Sequence, residues 1–416
     1  MVLRKLIAIS VVFALVAGTA FAEISLGGTV FGKVDVVKGD NGKDANDDAN
    51  PMRVDGGIGR IDVSANAESD DGSFGGFLRF RSEGWGDGTN GWGLAWWKPI
   101  DQVKFQIGNN PDGIFDTSHM TRWGFYQVAG DVGVVKPGNA WYNGGYYDHP
   151  AAFSGSGDGL GIVTSDYVFF GGFGGFGAML SITPVDMFAL NFVIPYADDW
   201  AENVYKKLIA QAVVNLDGIG QFNLTYEAGK GYKEGKEGAA APGYNESPGK
   251  IYASFYLSMI ENLGVDLGFS FTLPKKTADG KETDKNSVPL GLGLGVQYGA
   301  GQFGIKARVL TALGGKYANG DEAIPLGLTF DLLPSFAVTD DLTVFFSAGL
   351  GLAGLPEEAS EGQALVNFHI NPYVQYKFDW SKGLFAGFRL ESNGSYDKDE
   401  DAGINWSVPV GVYFTF

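Results

Sequence analysis

The chain closes on NWSVPVGVYFTF, residues 405–416. Val408, Val410, Val412, Phe414 and Phe416 fall on every second position, with small or polar residues between them. A period of two puts these side chains on one face of a strand. Chain ends in water usually fray unless something ties them down. A strand that stays apolar to its last residue needs an apolar surface to lie against.

The same alternation recurs upstream. In VKFQIG (103–108) Val103, Phe105 and Ile107 oppose Lys104 and Gln106. In FLRFRS (77–82) Leu78 and Phe80 oppose Arg79 and Arg81. In GRIDVS (59–64) Ile61 and Val63 oppose Arg60 and Asp62. In FGIKARV (303–309) Ile305, Ala307 and Val309 oppose Lys306 and Arg308, and LFAGFRLE (384–391) repeats the pattern. An Arg or Lys facing lipid near the bilayer midplane costs about 2–4 kcal/mol. Repeated over many strands, that cost exceeds the roughly 5–15 kcal/mol that holds a folded chain together. The apolar set must therefore face hydrocarbon and the charged set must face inward. Backbone groups in hydrocarbon must be paired, so the sheet must close on itself.

Connections set the strand number. Short turns fall at 69–72, 99–101, 183–186, 216–220, 261–264, 299–301, 339–341 and 379–383. Longer polar segments fall at 38–51, 84–91, 109–160, 195–204, 229–249, 274–287, 313–324, 353–363 and 393–402. The two kinds alternate without a break, as in an up-and-down barrel with short periplasmic turns and long external loops. The spacing predicts an all-β transmembrane antiparallel barrel of about 18 strands, within a range of roughly 16–20. Pro372 and Pro409 fall inside predicted strands, where proline removes a ladder donor and calls for a bulge or a shifted boundary.

Composition narrows the class. The 416 residues contain no Cys, which excludes disulfides, thiolate metal sites and thiol nucleophiles. Gly is 64 of 416, roughly double the usual share of about 7%, as expected where a barrel bends or leaves lumen room. Residues 1–22 read as a signal peptide: Arg4 and Lys5, an apolar run from Leu6 to Val16, then Ala20-Phe21-Ala22 as the cleavage site. The barrel is expected over 23–416. Loss of Arg4 and Lys5 takes the net charge from −18 to −20, which argues against nucleic-acid binding.

The leader, the rhythm of loops and turns, and the terminal VPVGVYFTF resemble bacterial outer-membrane porins. GLAWWKPIDQVKFQIGNNPDG (93–113) with TRWGFY (121–126) loosely resembles porins of spirochaete outer membranes. The resemblance implies passive diffusion of small hydrophilic solutes and ions, no cofactor, no enzymatic activity and a homotrimer in outer-membrane lipid. It also implies that the strand ending at Phe416 is read by the barrel-insertion machinery. In porins the third external loop folds inward and narrows the pore. Here that segment is 109–160, with Asp112, Asp116 and Asp131. Opposite these acids the lumen face offers Arg60, Arg79, Arg81 and Lys104, a transverse field of the kind that sets ion selectivity. The alternative is that these charges are solvated lumen residues and the loop stays outside.

Other signals are weaker. DANDDANPMRVD (44–55) follows the spacing of a calcium loop but has Ala49 where the sharp turn wants Gly, so a solvated acidic loop is expected and any metal is unknown. His369 lies on lumen parity between Asn367 and Asn371, which does not suit a lipid hydrolase. Trp96, Trp97, Tyr252, Tyr256, Phe378, Trp380 and Phe385 lie near strand ends, where interfacial aromatic belts form. A sugar-stacking track would instead need lumen-parity aromatics on successive strands. A non-conducting surface barrel, acting as adhesin or structural protein, is the competing function.

Overall fold

Each strand turns back on its predecessor through alternate short and long connections. A computed structural model describes residues 23–40, 53–82, 89–109, 168, 176–196, 208–228, 249–273, 290–316, 323–354, 364–379, 381–393 and 403–415. The strands are β1 (Glu23–Asp40), β2 (Arg53–Glu68), β3 (Phe74–Ser82), β4 (Thr89–Ile100), β5 (Val103–Asn109), β6 (Phe176–Val185), β7 (Phe188–Pro195), β8 (Ile209–Leu216) and β9 (Gly220–Ala228). They continue as β10 (Gly249–Ile260), β11 (Leu263–Thr272), β12 (Leu290–Ala300), β13 (Phe303–Lys316), β14 (Ala323–Ala337), β15 (Leu342–Gly354) and β16 (Ala364–Asp379). β17 runs as two segments, Lys382–Gly387 and Arg389–Asn393, and β18 is Gly403–Thr415. Among the described residues this is one antiparallel up-and-down sheet of 18 strands.

Every neighbour in sequence is a neighbour in the sheet, and β1 pairs with β18 as well as with β2. Thr29 lies opposite Thr415 and Val34 opposite Val410. The pairings thus return to their start and leave no free edge among the described strands, which hydrocarbon would not tolerate. At a strand spacing near 4.8 Å and a tilt near 40°, eighteen strands close at a backbone radius of about 18 Å.

Pro372 and Pro409 converge on one place. Phe388 separates the two segments of β17, and its N–H donates to the Pro372 carbonyl at 2.8 Å. Pro372 has no N–H to return, so the ladder is interrupted there. Pro409 lies opposite Asp35, and the β1–β18 register shifts between Asp35 and Lys38. The bulge places an unpaired residue beside the proline.

The faces divide as the alternation requires. Val63, Phe80, Phe105, Ile107, Leu267, Leu294, Val309, Val374, Val412 and Phe414 are all exposed on the outside. Gln211, Thr225, Asp266, Arg308, Asp331, Asn371 and Gln375 are buried on the inside. The greasy face of the terminal strand therefore points away from the lumen. The short turns carry their own chemistry. Asp71 Oδ1 accepts from Ser69 Oγ, Ser73 Oγ and Ser73 N at 2.7, 2.7 and 3.0 Å. These bonds hold its carboxyl well below its ordinary value, at about 2. Asn262 takes φ 63° in the β10–β11 turn, a conformation Asn tolerates better than most residues.

Candidate pore lining

Of the four expected basic residues, Arg60 lies on β2, Arg79 and Arg81 on β3, and Lys104 on β5. Val63 and Phe80 point outward, so Arg79 stands on the opposite side of β3, half-buried. Arg60 is opposite Thr29, Arg79 is opposite Ser64 and Trp92, and Arg81 is opposite Asp62 and Asn90. Lys104 is half-buried on the inner side of β5, with Nζ 5.1 Å from the Trp96 ring centre. It is the second residue of β5, beside a short turn, whereas Arg79 is the sixth residue of β3. That offset is roughly 13 Å along a strand, so Lys104 stands nearer the periplasmic end than the arginines.

Two further polar rows cross the wall through direct cross-strand partners. One runs Lys104, Ser181, Asn191, Gln211, Thr225, Tyr252, Ser270. Its neutral members bond to one another: Asn191 Nδ2 donates to Gln211 Oε1 at 3.3 Å, and Gln211 Nε2 donates to Thr225 Oγ1 at 3.0 Å. The other runs Asp266, Gly295, Arg308, Asp331, Gly349, His369, Glu391, Asn405. Within it Arg308 Nε donates to Asp331 Oδ2 at 2.7 Å, and the two side chains are 0% and 1% exposed. Because barrel strands tilt, a row of direct partners climbs obliquely. The second row starts three residues above the β10–β11 turn and ends near the external end of β18. Sequence parity placed Arg308 inside but could not supply Asp331, because the β13–β14 register is not written in either strand.

A closed antiparallel sheet with a greasy outside and a polar inside can be compared with solved structures. No known family profile matches the sequence, and no curated protein matches it. The fold does match. OccK5 (OpdH) of Pseudomonas aeruginosa superposes with a TM-score of 0.52 over 95% of this chain and 98% of its own, at 11% identity. The outer membrane channel DcaP of Acinetobacter baumannii gives 0.51 over 95% and 98%, at 10% identity. An anion-selective porin from Comamonas acidovorans gives 0.50 over 95% and 100%, at 13% identity. The chain has the outer-membrane porin fold.

In this porin fold β5 ends at Asn109 and β6 begins at Phe176, and the expected constriction segment 109–160 lies in the connection between them. Asp112, Asp116 and Asp131 lie outside the described residues, as does Phe416. Val168, within the same connection, is fully buried. On the inner wall Met179, Val193, Ile209 and Tyr252 form one buried apolar cluster. Hydrophobic residues on both faces of β6–β8 hide this cluster from the alternation of the sequence.

The aromatic belt is smaller than the sequence suggests. Trp97 stacks between Phe74 and Phe105 on the outside, with centroids at 6.3 and 5.8 Å, and Phe378 is exposed outside as well. Trp380 lies outside the described residues. Trp96, Tyr252, Tyr256 and Phe385 instead take the inner parity. Trp96 packs over Gly75, where any Cβ would overlap its ring. Tyr252 Oη donates to Glu227 at 3.4 Å, and Phe385 is 2% exposed. Position near a strand end cannot separate belt from lumen; register can. Among the described residues no group of three acidic, His or Cys side chains could hold a metal.

Proposed function

We propose that the chain is an outer-membrane porin, a passive diffusion channel for small hydrophilic solutes and ions. One observation carries this reading: a closed sheet wide enough for a lumen, apolar outside and lined inside by amides, hydroxyls and charges.

The segment 109–160 is assigned as the constriction loop. The apolar cluster of Met179, Val193, Ile209 and Tyr252 supports this, because apolar side chains facing a watery lumen favour a covering segment. Asp112, Asp116 and Asp131 then face Arg60, Arg79 and Arg81, with Lys104 nearer the periplasmic exit. Residues 1–22 are the cleaved leader, the strand ending at Phe416 engages the barrel-insertion machinery, and the working unit in outer-membrane lipid is a homotrimer.

A second reading, a non-conducting surface barrel, is favoured by the complete burial of Thr329, Ser347, Asn371 and Gln375 on the inner wall. Planar-bilayer recording of the purified protein separates the two. Discrete ohmic steps fit the porin; a folded barrel that stays silent contradicts it.

A further inference from the structure

Near the periplasmic end of the lumen wall, β10 to β15 enclose a recess of about 420 Å³. Three glycines on the inner side open it. A Cβ at Gly264 would come within 2.6 Å of the Tyr256 hydroxyl and 3.0 Å of Gln297. A Cβ at Gly304 would come within 2.7 Å of Ser335 Oγ, and Gly299 faces open space. These positions alternate with outward residues such as Tyr298, so the small side chains fall on one face only. The space they leave is bordered by polar groups.

Those groups are mostly neutral and can both donate and accept. Tyr256, Gln297, Asn262 and Ser335 border the space, and Gln297 Nε2 donates to Tyr256 Oη at 3.4 Å. Leu333 and Phe345 give it an apolar floor, and the Phe345 ring stacks on Tyr373 at 4.7 Å and 9°. One cation, Lys306, and one acid, Glu261, border the same space with opposite sign, so no net charge selects for an ion. Hydroxyls and amides beside an aromatic floor are the chemistry that recognises a polyhydroxylated ring: its hydroxyls pair with dual donor–acceptors and its C–H faces lie on the apolar surface.

We propose that this recess is a weak subsite for neutral polyhydroxylated solutes of mono- or disaccharide size at the periplasmic exit of the pore. The inference rests on the porin reading.

The test is single-channel recording of the full-length mature protein with sucrose added on the periplasmic side. Each variant's current is normalised to its own open level and compared with that in polyethylene glycol of equal viscosity and similar size. The expected result is a saturable current reduction by sucrose beyond the viscosity effect, weakened at least threefold in Gln297→Ala and in Gly299→Leu, which fills the space. Sucrose that reduces current only as the glycol does would overturn the inference, as would variants that leave the sucrose effect unchanged. A protein that gives no open channel contradicts the porin reading itself, a different outcome from an open channel indifferent to sucrose. If Gly299→Leu fails to fold, Gln297→Ala and Ser335→Ala decide the result.

Discussion

Replacing Asp331 by Asn removes the carboxylate that the buried Arg308 holds in the wall. The guanidinium loses a 2.7 Å charge-assisted bond in a place where neither side chain reaches water. Breaking a buried pair by removing one partner costs about 3–5 kcal/mol, because the remaining charge stays desolvated. Replacing both partners with apolar residues of similar size is often neutral or stabilising, by about 1–4 kcal/mol. The assay is reversible folding into lipid vesicles, followed by tryptophan fluorescence over a urea series. Asp331→Asn should lose about 3 kcal/mol or more, while Arg308→Met with Asp331→Leu should recover most of that loss. A single variant within about 1 kcal/mol of the parent would refute the reasoning, since that is the range of a solvated surface pair. A double variant no better than the single one would refute it equally.

Three other perturbations probe different parts of the molecule. Arg79→Glu combined with Arg81→Glu should move the reversal potential in a salt gradient toward cations; an unchanged value removes both residues from the selective region. Leu294→Arg, on the outer face of β12, should cost about 2–4 kcal/mol in the same vesicle assay, whereas Gln297→Arg on the inner face of that strand should cost far less. The Asp71 carboxyl is held below its ordinary value of 3.8, at about 2, so its turn bonds stabilise the fold at neutral pH and are lost as pH falls through that interval. The stability difference between the parent and Asp71→Ala should therefore be present at pH 5 and shrink toward pH 2, as read by urea titration at each pH.

The sequence made the barrel legible because its strongest constraint is local. Alternation at Phe105 and Ile107 against Lys104, or at Val410 and Val412 against Gly411, decides a face within one strand. Turn chemistry at SDDG and DWSKG marks where strands reverse; Asp379 Oδ1 accepts from Ser381 N, Ser381 Oγ and Lys382 N much as Asp71 does in its own turn. What alternation cannot show is who sits opposite whom. The Arg308–Asp331 pair, the oblique rows and the inward aromatics Trp96 and Tyr256 all depend on inter-strand register. Pro372 and Pro409 looked like separate anomalies in the sequence and prove to flank one interruption at Gly387 and Phe388. The apolar cluster inside β6–β10 was hidden because Val193 and Ile209 stand beside outward residues that are also apolar.

The most direct test uses the absence of cysteine. Single cysteines placed at Leu294 and Val309, and at Gln297 and Lys306, sample both faces of β12 and β13. In protein folded into sealed lipid vesicles, a charged, water-soluble maleimide should label positions 297 and 306 and spare 294 and 309. Labelling of 294 and 309 with protection of 297 and 306 would turn the barrel inside out and contradict the account.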